Sequence, residues 1–267
     1  MQISDLFSVT GKVVLITGGT RGIGAMIAEG FIANGARVYL CSRDAETGRA
    51  TAMSLAQKYH GTCQYLQGSV SDLAGIRNLA EQFRSLESRL DVLINNAGVS
   101  VSSEIDDFSE SDWDKVIDTN LKGCFFLTQN LLPELRIAAD AEDPARVINI
   151  GSVDGLKNPR WENYSYGASK AALHHMTRQL SVRLVKEHII VNAIAPGPFP
   201  TTMLAKGAGL GTGVEEVDWS RPNNNNPRGR IGTAEDIAGL SIYLASRAGA
   251  FTVGATITCD GGAVARS

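Results

Sequence analysis

The sequence predicts an α/β fold: a doubly wound sheet of seven parallel strands with helices on both faces, in a single domain over residues 1–267. Three observations predict it. Seven short runs are near-continuously apolar, as strands covered on both faces require. They are Lys12–Thr17, Ala36–Cys41, Gln64–Gln67, Val92–Asn95, Arg146–Ile150, Ile189–Ile194 and Thr256–Cys259. The stretches between them carry apolar residues at helical spacing, as in Ile23, Ile27 and Phe31, or Ile76, Ala80 and Phe83. Strand and helix then alternate, and right-handed crossovers place the helices over both faces of one parallel sheet.

Composition narrows the class further. The chain has 267 residues, 43% hydrophobic and 20% charged, and 25 Lys+Arg against 28 Asp+Glu give a formal charge of −3. Such a length buries a full core without disulfide or metal staples. The charge balance offers no basic face to nucleic acid. No apolar run approaches the ~18 residues of a membrane helix, and Asp5 interrupts Met1–Thr10 where a signal peptide would be apolar. Cys41, Cys63, Cys124 and Cys259 are widely spaced, without a CxxC pair. They read as buried small residues in a reducing compartment. The expectation is a cytoplasmic protein with no metal, membrane or nucleic-acid partner.

Taken in order, the elements carry a pattern. The first strand runs into Thr17-Gly18-Gly19-Thr20-Arg21-Gly22-Ile23-Gly24, which opens an apolar helix. A glycine-rich turn at that place lets backbone amides approach a pyrophosphate, and the positive end of the helix dipole faces its charge. The second strand ends in Cys41-Ser42-Arg43, with no carboxylate to repel a 2′-phosphate on an adenosine ribose. Arg21 approaches the same place from the glycine turn, and two guanidinium groups around a dianion give charge-assisted bonds. NADPH is therefore favoured over NADH. The third strand leads into Gly68-Ser69-Val70-Ser71-Asp72, the fourth ends in Asn95-Asn96-Ala97-Gly98, and Ser152 follows the fifth. Tyr166 and Lys170, four residues apart, share a helix face, whereas Tyr164 has Ala168 in the matching place. A nearby cation stabilises a phenolate, and so brings the tyrosine pKa of ~10 toward the working pH.

The glycine turn, Asn95–Gly98, Ser152, Tyr166 with Lys170, Asn120 and Pro196-Gly197 together resemble the short-chain dehydrogenase/reductase family, over nearly the whole chain. The resemblance implies a Rossmann fold and reduction of a ketone, with Asn120, Ser152, Tyr166 and Lys170 as the catalytic set. Tyr166 would be the general acid, Ser152 would polarise the carbonyl, and Asn120 would hold a water linking Lys170 to solvent. The implied cofactor residues are Gly18, Thr20, Arg21, Gly22, Ile23, Gly24, Ser42, Arg43, Ser69, Val70, Asn96, Ala97, Gly98, Tyr166, Lys170, Pro196, Gly197 and Thr201. Many relatives have an aspartate beside the adenine where this chain has Ser69.

Residues 145–151, 166–174 and 192–200 look especially like the branch of 3-oxoacyl-thioester reductases, including those tied to rhamnolipid synthesis. Val153, Asp154, Trp161, Phe199 and Met203 are the candidates for the substrate wall, suited to an acyl chain or ring; Trp161 reads equally as core. Glycine- and proline-rich residues 197–230, with the run Asn223–Asn226, are expected to form a substrate lid. His174 and His175 read as helix-surface or interface residues, with the helix's buried stripe on Leu173, Thr177 and Leu180. The substrate is expected as a small carbonyl compound, including one thioester-linked to a carrier, and the assembly as a homotetramer. Two other readings are a polyol, sugar-acid or secondary-alcohol dehydrogenase, and a nucleotide-binding scaffold or sensor without turnover.

Overall fold

The computed structural model of the chain describes residues 2–159, 161–220 and 226–266. Asn223–Asn225 of the polar run lie outside them. The strands are β1 Val13–Thr17, β2 Arg37–Ser42, β3 Cys63–Gln67, β4 Val92–Asn95, β5 Ala145–Ile150, β6 Ile189–Pro196 and β7 Thr256–Cys259. The helices are α1 Ile3–Leu6, α2 Gly22–Ala33, α3 Ala45–Tyr59, α4 Leu73–Arg84, α5 Glu110–Ile117, α6 Gly123–Asn130, α7 Leu132–Ala138, α8 Tyr164–Leu184, α9 Thr202–Gly207 and α10 Ala234–Ala245. Every strand pair is parallel, in the order β3-β2-β1-β4-β5-β6-β7. The seven expected strands are all present.

Successive residues of β1 serve opposite faces of the sheet. Val14 and Ile16 pack with Ile27 and Phe31 of α2 and with Ile237 and Leu244 of α10. Val13 and Leu15 join Ile76, Leu79 and Phe83 of α4, Leu127 of α6 and Leu135 of α7 on the other face. Both sets are apolar because neither face of the sheet meets water at its central strands. Asp44 and Asp72 cap α3 and α4, accepting from first-turn amides.

The chain winds β1 to β3 toward one edge and then places β4 on the other side of β1. That reversal leaves a crevice outside the carboxyl ends of the strands, where ligands bind in sheets of this kind. A buried polar ladder stiffens the same end. Asn95 Nδ2 donates to Asn149 Oδ1 at 2.9 Å and Thr128 Oγ1 at 3.1 Å, and Asn149 Nδ2 donates to Thr177 Oγ1 at 2.9 Å. Asn95 and Asn149 sit opposite each other in the β4–β5 register, so β4, β5, α6 and α8 are tied together where the crevice opens.

The expected lid is not without regular structure. Thr201 caps α9 through its hydroxyl, which accepts from Leu204 N at 3.1 Å, and the Thr202–Lys206 stretch contains helix-forming Met, Leu, Ala and Lys. Glycines and prolines on both sides of it hide the helix in the sequence. All four cysteines are free, Cys41 and Cys124 buried but Cys63 and Cys259 only half-buried, a correction to the uniform burial expected of them. Among the described residues no helix is long and apolar enough to cross a membrane.

Candidate active site

A cleft of about 1540 Å³ runs along the carboxyl ends of the strands. At its centre, Gly18 and Gly22 have φ of +63° and +53°, left-handed values that β-carbon-bearing residues resist. The turn is clamped from β4: Asn96 Nδ2 donates to the carbonyls of Thr17 at 2.9 Å and Gly18 at 3.0 Å. Thr17 Oγ1 in turn accepts from Asn96 N and Ala97 N, each at 3.0 Å. The Asn96 side chain thus spends its donor on buttressing the turn. No side chain caps α2, which leaves its first-turn amides for an anion.

Arg21 and Arg43 both line this part of the cleft, and neither forms an ion pair among the described residues. Thr20, Ile23, Ser42, Ser69, Val70, Ala97, Gly98, Pro196, Gly197 and Thr201 line it as well. These features fit a dinucleotide with a third phosphate. Gly24 is the exception in the expected cofactor set, since it does not line the cleft. A β-carbon there would run into Gly18 O and Asn96 Nδ2, so Gly24 lets α2 pack against the turn.

At the other end, Ser152 and Tyr166 face the cleft together with Lys170. Ser152 ends β5 and starts a short turn; its Oγ accepts from Asp154 N at 3.1 Å, which leaves its own proton free to donate. Tyr166 is in the first turn of α8, and Lys170 Nζ lies 5.5 Å from the centre of its ring. Burial pushes the Tyr166 hydroxyl up to about 12; a hydrogen bond with Ser152 opposes this, and the Asp154 charge adds to it. The lowering of the tyrosine expected from Lys170 does not offset this burial. Lys170 Nζ donates to Ile150 O at 2.7 Å instead, and burial brings its own pKa down to about 8. Tyr166 is held as a protonated acid.

Asn120 is fully buried and does not line the cleft. It sits in a π-helical turn, Asp118–Lys122, between α5 and α6. Its Nδ2 donates to Val99 O at 2.9 Å and Ser169 Oγ at 3.2 Å, and its Oδ1 accepts from Val99 N at 2.9 Å. It faces Lys170 across Gly98, where an added β-carbon would lie 3.3 Å from Asn120 Oδ1 and 3.6 Å from Lys170 Nζ.

His174 requires a correction. It is 2% exposed, wedged behind Gly151 and Gly155, whereas His175 is on the surface. Lys170 and His174 are one turn apart on the face of α8 that meets β5, and the glycines at 151 and 155 admit the imidazole. Neither ring nitrogen makes a hydrogen bond of normal geometry. Burial and the Lys170 charge bring its pKa down to about 4, a weak contact with the Gly155 backbone opposing them.

The candidates for the substrate wall do not all lie in the same way. Val153, Asp154, Trp161 and Met203 line the cleft, and Trp161, at 38% exposure, is not core. Phe199 touches the cleft but is 2% exposed, its ring filling the space over Gly232. It is a core residue beneath the site. The sequence reading missed Val99, Leu204, Leu210, Val217 and Trp219, which complete an apolar wall. Only their position after β4 or β6 could have signalled them. Asp154 accepts from Asn163 Nδ2 at 3.3 Å, and burial raises its carboxyl pKa.

The model of the short chain dehydrogenase family matches residues 12–208. The chain belongs to that family. It is 46% identical over 256 residues to the rhamnolipids biosynthesis 3-oxoacyl-[acyl-carrier-protein] reductase of Pseudomonas aeruginosa, covering 96% of this chain and 97% of the relative. Its fold superposes on the Pseudomonas aeruginosa RhlG/NADP active-site complex with a TM-score of 0.88 at 45% identity, covering 99% of this chain and 100% of the other. The L-sorbose reductase of Gluconobacter frateurii, in complex with NADPH and L-sorbose, gives 0.85 at 27% identity over 97% of this chain and 98% of its own.

Proposed function

We propose that the protein is an NADPH-dependent ketoreductase that converts a 3-oxoacyl thioester, or a similar β-keto compound, to the secondary alcohol. The observation that carries the reading is the convergence of Ser152, Tyr166 and Lys170 in an apolar-walled cleft, with two arginines along it that form no ion pair among the described residues. Similarity to a 3-oxoacyl reductase over nearly the full length of both chains supports the substrate class. The dinucleotide, when bound, supplies the hydride.

The remaining work falls to side chains. Ser152 Oγ–H donates to the substrate carbonyl and orients it. Tyr166 gives its proton to the oxygen as negative charge develops there; a hydroxyl with a pKa of about 12 remains loaded across the physiological range. Lys170 fixes the tyrosine ring's surroundings from Ile150 O, and its positive charge favours the phenolate left behind. Asn120, across Gly98, is assigned the water that returns a proton through Lys170. Arg21 and Arg43 select the 2′-phosphate, the first-turn amides of α2 take the pyrophosphate, and residues 197–230 act as the lid.

The same proposal places the enzyme in the cytoplasm, in keeping with four free thiols. It also includes homotetrameric assembly. Trp113 on α5 and Val182 on α8 would be covered at one interface, and Phe251 and Val253 before β7 at the other. The functional test compares NADPH consumption with a 3-oxoacyl thioester, a ring ketone and L-sorbose, together with NADP⁺ reduction by polyols. The thioester is expected to be used best; a higher kcat/KM on a sugar or polyol would replace the acyl reading with a sugar one.

A further inference from the structure

The end of the cleft above β3 contains a device that the reaction itself does not use. Moving outward from the reacting groups above β5, the glycine turn follows β1, Arg43 follows β2 and Gly68–Ser71 follows β3. A dinucleotide with its pyrophosphate on the glycine turn and its 2′-phosphate by Arg43 therefore lays its purine against Gly68–Ser71. The carboxylates nearby are committed. Asp44 Oδ1 accepts from Glu46 N at 3.1 Å and Thr47 N at 3.2 Å, and Oδ2 from Thr47 Oγ1 at 2.6 Å. Asp72 Oδ1 accepts from Gly75 N at 2.8 Å.

Two hydroxyls remain to meet the purine's polar edge. Ser69 Oγ and Ser71 Oγ are 2.8 Å apart with either as donor, and Ser71 N donates to Ser69 Oγ at 3.2 Å. If Ser71 Oγ donates, both lone pairs of Ser69 are filled and its own O–H is free for the cleft. If Ser69 donates, it keeps one lone pair and Ser71 keeps a proton. Rotation of two hydroxyls thus presents either a donor or an acceptor without moving a heavy atom.

We propose that Ser69 and Ser71 form a base-reading pair that does not distinguish a 6-amino from a 6-oxo purine, so that the hypoxanthine analogue of NADPH binds almost as well as NADPH. A carboxylate at position 69 would do the opposite, because it only accepts and would face the 6-oxo group acceptor to acceptor. The inference rests on the dinucleotide reading of the cleft.

The test measures the equilibrium Kd of NADPH and of its hypoxanthine analogue by titration calorimetry, with no carbonyl substrate present. Wild-type protein is expected to bind the two within threefold of each other. Ser69→Asp is expected to prefer NADPH tenfold or more. A preference above tenfold in the wild type overturns the proposal, and that result needs no variant. An unchanged ratio in a folded Ser69→Asp protein also overturns it, since position 69 would then not face the purine. Failure of NADPH itself to bind overturns the dinucleotide reading, and this inference with it.

Discussion

The two halves of the cleft are built by different means. On the cofactor side the centre of the surface is backbone, with Arg21 and Arg43 beside it: left-handed glycines at 18 and 22, a helix start with no side-chain cap, and an Asn96 that holds carbonyls in place. On the substrate side the surface is side chains from distant loops, among them Val99, Trp161, Met203 and Trp219. Ser152 and Tyr166 sit at the junction. A backbone surface fixes the shape of what it binds, since each glycine excludes or admits a single β-carbon. A side-chain surface is re-shaped by every substitution, and it is where members of a fold family differ in substrate.

That contrast can be broken most sharply at the junction. Tyr166→Phe keeps the ring and loses the acid, so turnover should fall about 10³-fold, within the usual range for a positioned proton donor. NADPH affinity should stay within a factor of about two. Steady-state rates and a binding titration on the same preparation check both, and a comparable loss of affinity would mean that Tyr166 belongs to the cofactor half.

Behind the junction, His174 predicts an acid-sensitive fold. Its pKa is about 4 when folded and 6.5 unfolded, so the unfolded chain takes up the proton first. Its burial in the neutral form costs the fold no protonation penalty above pH 6.5, and the protein loses stability as the pH falls toward 4, by about 3 kcal/mol at ~1.4 kcal/mol per unit. Denaturant midpoints at pH 7 and pH 4.5 should differ less in His174→Leu than in the wild type; equal differences would remove the imidazole from the account.

On the cofactor side, Arg43→Asp should weaken NADPH by at least 10-fold, as loss of a charged hydrogen bond worth ~1.5–3 kcal/mol implies, and leave NADH nearly unchanged. Equal weakening of both would show that Arg43 does not meet the 2′-phosphate. The smallest effect compares two glycines. Gly24→Ala drives a methyl into Gly18 O and Asn96, and should cost about 1–3 kcal/mol of stability. At Gly207 the nearest atom would be Trp161 Cε3 at 3.8 Å, so Gly207→Ala should leave the melting temperature in place. Thermal unfolding of the two variants decides it.

This difference in construction also governs what could be read from the sequence. The central strands were legible because both faces of the sheet are dry there and their runs are continuously apolar, as in β1 and β4; the edge strands β3 and β7 are only partly buried and were legible from their place in the strand–helix alternation. The glycine turn, Arg43, Ser152, Tyr166 and Lys170 were legible because strand ends and one helix turn fix their places. Asn95 and Asn149 gave no sign of their mutual bond, which depends on the β4–β5 register. His174 was misplaced because helical periodicity puts it beside the buried stripe, and only the two glycines facing it create its room. Gly24 looked like a phosphate contact because its neighbours line the cleft, while its role is set by Gly18 and Asn96 across the turn. Val217 and Trp219 come from a stretch whose glycines and prolines erase periodicity.

The measurement that tests the central claim most directly is transfer of label. NADPH deuterated at the transferable position of its nicotinamide is incubated with the protein and a 3-oxoacyl thioester, and the product is analysed by mass spectrometry. A 3-hydroxyacyl thioester with one deuterium on the carbinol carbon, formed in step with NADPH loss, is the predicted result. A product without deuterium, or no product from a protein that binds NADPH, would contradict the assignment of Ser152, Tyr166 and Lys170 to ketone reduction on this substrate.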